Sequence, residues 1–90
     1  MNNRETILNI LNKFIQDQEH ISWNMICCYS DGMELSINQI NIIDQSKNRT
    51  IGIITYRDDT GEVLFCMYKE LKKRPSDTII DVLLDLMNYH

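Results

Sequence analysis

The chain has no alanine, one proline, three glycines and two phenylalanines in its 90 residues. Alanine is the strongest helix former, so helices built without it must be held by packing rather than by intrinsic propensity. The gap goes with an abundance of Ile and Asn, a bias we read as the codon usage of an AT-rich genome such as a low-GC bacterium or its phage. The scarcity of Pro and Gly excludes a disordered or low-complexity chain. Gly32, Gly52 and Gly61 are isolated, so no phosphate-cradling loop is formed.

Cysteine is equally sparse. There are three, an odd number, with Cys27 and Cys28 adjacent and no C-x-x-C. That excludes a disulfide framework of the secreted kind. Neighbouring strand positions point to opposite faces, so Cys27 and Cys28 cannot readily hold one ion, and buried structural thiols are the expectation. His20 and His90 add no ligand spacing, so no metal, cofactor or catalytic residue is assigned. No apolar run approaches ~20 residues, which excludes a spanning helix. At the N-terminus Glu5, Asn9 and Asn12 break the pattern a signal peptide requires. A soluble cytoplasmic protein without membrane contact is expected.

What remains is ordinary globular material: 43% hydrophobic and 24% charged residues, with a formal net charge of −4. Ninety residues make one domain, spanning 1–90, with a core small enough that association is an expected source of added stability. The acidic balance disfavours generic nucleic-acid binding, which needs a basic footprint.

Hydrophobic periodicity gives the order α-β-β-β-β-α. A first helix runs from about Arg4 to Gln18, with Asn2 and Glu5 arranged as a capping box and Ile7, Leu8, Ile10, Leu11, Phe14 and Ile15 on one side. From Ile21 to Tyr29 the period becomes two. A three-residue Ser30-Asp31-Gly32 loop would pair Tyr29 with Met33, Cys27 with Leu35 and Met25 with Ile37. A bulge at Asn38-Gln39 would then set Ile40 opposite Trp23 and Ile42 opposite Ile21. A polar loop over 44–49 leads to a second hairpin, Thr50 to Arg57 and Glu62 to Leu71, turning at Asp58-Asp59-Thr60-Gly61 with Arg57 beside Glu62 as a charge pair. Ile54, Tyr56, Val63, Phe65 and Met67 would share one face, and Ile51, Ile53, Leu64, Cys66 and Tyr68 the other. The fold class is α+β: a four-stranded antiparallel sheet of two hairpins flanked by N- and C-terminal helices, which pack on one face or divide between the two.

The last helix carries the strongest signal. Asp77, Asp81, Asp85 and Asn88 form one narrow polar stripe, and Ile79, Ile80, Val82, Leu83, Leu84, Leu86 and Met87 cover the rest. An apolar arc of roughly 100° suffices to cover one sheet; this arc is about twice as wide at ~3.6 residues per turn. The surplus must be covered by the first helix or by another chain. Ile80, Leu83, Leu84, Leu86 and Met87 are therefore the expected interface of a homo-oligomer, with Asp77, Asp81 and Asp85 as an acidic contact stripe. Pro75 and Ser76 mark the start of this helix, just after the basic run Lys69, Lys72, Lys73, Arg74. Positive charge there calls for an anion or acids in compensation.

These features point to a small non-enzymatic protein-binding module, a phage or bacterial inhibitor acting as a homodimer, with a larger protein as its target. The competing reading is a nucleic-acid or nucleotide-binding accessory protein that uses Lys72, Lys73 and Arg74.

Overall fold

The computed structural model describes residues 3–16, 18–29, 36–68 and 78–88. Helix α1 (Asn3–Ile15) is followed by strands β1 (Ile21–Tyr29), β2 (Ser36–Asp44), β3 (Arg49–Arg57) and β4 (Val63–Tyr68), and by helix α2 (Ile79–Met87). The strands form one open antiparallel sheet in the order β1-β2-β3-β4. This is the expected α-β-β-β-β-α architecture. Asn2, Met33 and Leu35 lie outside the described residues.

Both helices face the same side of the sheet. Ile7, Leu11 and Phe14 of α1 join Ile79, Val82, Leu83 and Leu86 of α2 in a single core with Ile40, Ile42, Ile54, Tyr56, Val63 and Tyr68. Burying each such side chain contributes about 1.5–3 kcal/mol. The wide apolar arc of α2 is thereby explained from within the chain: α1 and the sheet together cover most of it.

The first hairpin differs from the expected register. Pairing is continuous, with Tyr29 opposite Ser36, Met25 opposite Ile40, Trp23 opposite Ile42 and Ile21 opposite Asp44. No bulge falls at Asn38-Gln39. An unbroken ladder already sets Ile40 and Ile42 beside Met25 and Trp23 on the covered face, so no extra residue is needed. The same register carries Asn38 into the core face and Ile37 out of it.

Two irregularities occur elsewhere. Between β2 and β3 the register shifts after the Ile42–Gly52 pair, so that Ile43 meets Thr50. Between β3 and β4, Tyr56 pairs with Val63 but Thr55 pairs with Phe65, leaving Leu64 as the extra residue of a bulge. That bulge inverts the expected faces of β4. Cys66 and Tyr68 turn to the helices with Val63, whereas Phe65 and Met67 turn away.

Turn chemistry explains the connections. Asp44 accepts from the Ser46 hydroxyl at 2.6 Å and from the Ser46 and Lys47 amides, and Asn48 closes that turn with φ of 51°, a conformation Asn tolerates. Gly61 has φ of 76°, which suits a residue without Cβ. Its carbonyl accepts from the Ile79 amide at 2.7 Å, and Glu62 bridges Thr78, so the second hairpin positions the start of α2. The helix cap is Thr78 rather than the expected Ser76. Its hydroxyl accepts from the Asp81 amide, and Asp81 accepts from the Thr78 amide and hydroxyl in a capping box.

One polar cluster enters the core. The Asn38 amide donates to the Tyr56 hydroxyl at 3.3 Å and to Asp58 at 3.0 Å, and the Tyr56 hydroxyl donates to Met25 Sδ at 3.7 Å. Asn38 Oδ1 is buried without a hydrogen-bond partner among the described residues. Burial pushes the Tyr56 phenol above its ordinary value of 10.0, nearby Asp58 adds to the rise, and the Asn38 amide opposes it. A raised phenol pKa means the unfolded state ionises first. Stability from this group is full below pH ~10 and declines as pH climbs through the folded-state pKa. Tyr56→Phe should therefore weaken the fall of unfolding free energy above pH ~10. Urea titrations at rising pH measure that slope, and an unchanged slope would contradict the assignment.

Candidate protein-contact surface

The face of the sheet opposite the helices carries the unexpected feature. Pairing places Ile26, Gln39, Thr55 and Phe65 in one row across the four strands, and Asn24, Asn41, Ile53 and Met67 in the next. Ile26 on the β1 edge and Phe65 and Met67 on the β4 edge are 48%, 49% and 49% exposed, three large apolar side chains on one face with Gln39 and Thr55 between Ile26 and Phe65. Ile37, Ile43 and Ile53 are half-buried beside them. No described element covers this face.

A chain of amides crosses this face. Gln39 Nε2 donates to Asn41 Oδ1, and Asn41 Nδ2 donates to Asn24 Oδ1, each at 2.9 Å. The amides satisfy one another, which leaves this stretch uncharged; Asn41 in the middle is buried, while Gln39 is half-buried and Asn24 exposed. Charge on this face lies at its turn end, with Glu62 and with Arg57, opposite Ile37. The Arg57 guanidinium turns to Asp59, at 2.7 and 3.1 Å. The backbone pairs Arg57 with Glu62 as expected, but the ion pair forms within the turn. A fork of two hydrogen bonds to a residue two positions away outcompetes the cross-strand contact. The pair holds the Asp59 carboxyl below its usual range and raises Arg57.

The residues expected to carry function from sequence are distributed differently. Leu83 and Leu86 are fully buried in the chain's own core. Ile80 and Met87 are half-buried against that core. Leu84 alone of the five stands out, at 50% exposure. Asp81 is occupied as the capping carboxylate, and Asp85 accepts from the Asn88 amide through its backbone carbonyl. Asp77, Lys72, Lys73 and Arg74 lie outside the described residues.

The thiols also differ from expectation. Cys27 and Cys28 are exposed and Cys66 is half-buried, because β1 is a sheet edge rather than a covered strand. Tyr56 and Tyr68 are core residues, and Trp23 is half-buried at the edge. Among the described residues no three His, Cys, Asp or Glu side chains converge as a metal site, and no helix is long and apolar enough to cross a membrane. The depression lined by Asp44, Arg49, Thr50 and Ile51 has its carboxylate committed to the turn amides and the Ser46 hydroxyl, which draws the Asp44 pKa down.

Sequence reasoning missed Phe65 and Met67 as outward residues, since the displacement of Leu64 has no local signature beyond an apolar run. The outward position of Ile26 was legible from the alternation of β1. Compared with known protein families, curated proteins and solved structures, the chain matches none.

Proposed function

We propose that this chain is a non-enzymatic protein-binding module that seats a larger protein on the open face of its sheet. The exposed group Ile26, Phe65 and Met67, flanked by Ile53 and an uncharged amide chain, supports this reading. Two rows without charge, in which Ile, Phe and Met supply the exposed apolar side chains, match the charge-depleted composition of a contact core. Four strands ~4.8 Å apart and some ~25 Å long give a planar area of roughly 500 Å² before side-chain relief. That approaches the ~800 Å² per partner of a standard interface. Occlusion of a working surface, the action of an inhibitor, suits a chain of this size.

Site-specific photo-crosslinking in the native cell tests the proposal. A benzophenone side chain at position 67 or 26 should give the same covalent adduct with a second protein, and one at Asn12, exposed on α1, should not. Adducts from position 12 with none from 67 would overturn it.

A further inference from the structure

The two edges of the sheet are unlike. β4 is six residues long and carries the Leu64 bulge, both features that blunt an edge against further pairing. β1 is nine residues long, in unbroken register with β2, and holds neither a charge nor a proline from Ile21 to Tyr29. In a chain with 24% charged residues, nine positions would ordinarily contain about two, and edge charges are a usual protection against strand addition.

The hydrogen-bond phase of this edge follows from one contact. The His20 carbonyl accepts from the Gln45 amide at 2.7 Å, so His20–Gln45 is a hydrogen-bonded pair. Antiparallel ladders alternate such pairs. Ser22, Asn24, Ile26 and Cys28 thus direct their backbone groups to β2, and Trp23, Met25 and Cys27 direct theirs outward. No described strand lies beyond them.

We propose that β1 is a self-pairing edge: two copies join β1 to β1 antiparallel about a two-fold axis at Met25, making one eight-stranded sheet. The edge is its own complement. With Met25 on the axis all nine residues overlap, Trp23 of each copy meets Cys27 of the other, and outward-pointing groups meet outward-pointing groups. About six backbone hydrogen bonds form across the three central pairs alone, Met25 with Met25 and Trp23 with Cys27 twice. Odd residues stay with odd, so the helices of both copies fall on one side and the half-buried Trp23 and Met25 side chains gain cover. No charge is brought to the join, although each copy carries a formal −4. The open face remains free in this dimer.

Light scattering coupled to size exclusion, across a concentration series, should give a species of twice the 10.7 kDa chain mass. Proline is tolerated at an edge where the N–H is not used by the sheet. Cys27→Pro should therefore give a folded monomer, and Phe65→Asp should leave the dimer intact. In a Cys27→Ser, Cys28→Ser background, Met25→Cys should form a disulfide-linked dimer under diamide. Residues paired in this way lie about 5.5 Å apart at Cα, inside the disulfide range of ~4.4–6.8 Å. Asn24→Cys, offset from its own copy, should not crosslink. A monomeric wild-type chain, or equal crosslinking at 24 and 25, would overturn the proposal. Dissociation by Phe65→Asp but not by Cys27→Pro would also overturn it, by placing the contact on the open face.

Discussion

Leu83→Asp is expected to unfold the protein, while Leu84→Asp, one residue along, should leave it folded. Leu83 is fully buried between α1 and the sheet, and Leu84 is 50% exposed. A carboxylate at position 83 has no partner in an apolar core. The cost of an unpaired buried ion is at least several kcal/mol, comparable to the ~5–15 kcal/mol that holds a typical domain together. At position 84 the new carboxylate is solvated and meets only mild repulsion from its acidic neighbours, with an expected change within about 0.5 kcal/mol. Circular dichroism with urea denaturation distinguishes the two. A folded Leu83→Asp variant that changed only its oligomeric state would place that side chain at an interface and contradict the packing described.

Gly52→Val is the second large effect. A Cβ at this position would stand 2.6 Å from Tyr68 Cδ2 and 3.2 Å from Tyr68 Cβ. The ring cannot move aside, because it is fully buried and meets Phe14 edge-on with centroids 6.1 Å apart. Tyr68 lies directly across the strand pair from Gly52, so the missing side chain of one residue is the space occupied by the other. Overpacking of this kind costs about 1–3 kcal/mol or more. The pair should behave non-additively: Gly52→Val combined with Tyr68→Val should cost less than the sum of the single changes. Additive losses would show that the ring and the glycine do not share one volume.

How much was legible in the sequence depended on whether local pattern decided the outcome. The α-β-β-β-β-α order, the left-handed Gly61 and the amphipathic α1 follow from periodicity and turn chemistry, which act over a few residues. The register of the first hairpin did not. Matching Met33 and Leu35 to Tyr29 and Cys27 maximised apolar pairs locally, whereas the sheet as a whole favours Ile40 and Ile42 over Gly52 and Ile54. The reward for admitting Asn38 is a set of contacts with Tyr56 and Asp58 from a distant strand. The same limit applies to the contact surface. The wide apolar arc of α2 is largely absorbed by α1 and the sheet, leaving Leu84 exposed on the helix and Ile26, Phe65 and Met67 exposed on the opposite sheet face.

The most direct measurement of that open face is paramagnetic relaxation of side-chain NMR signals by a soluble gadolinium chelate. The Ile26, Ile53 and Met67 methyl groups should broaden strongly, while Ile40, Ile42 and Ile54, which face the helices from the same strands and their neighbours, should be spared. Protection of Ile53 and Met67 equal to that of Ile54 would mean that the second face is covered, and would contradict the one-sided arrangement on which the proposed function rests.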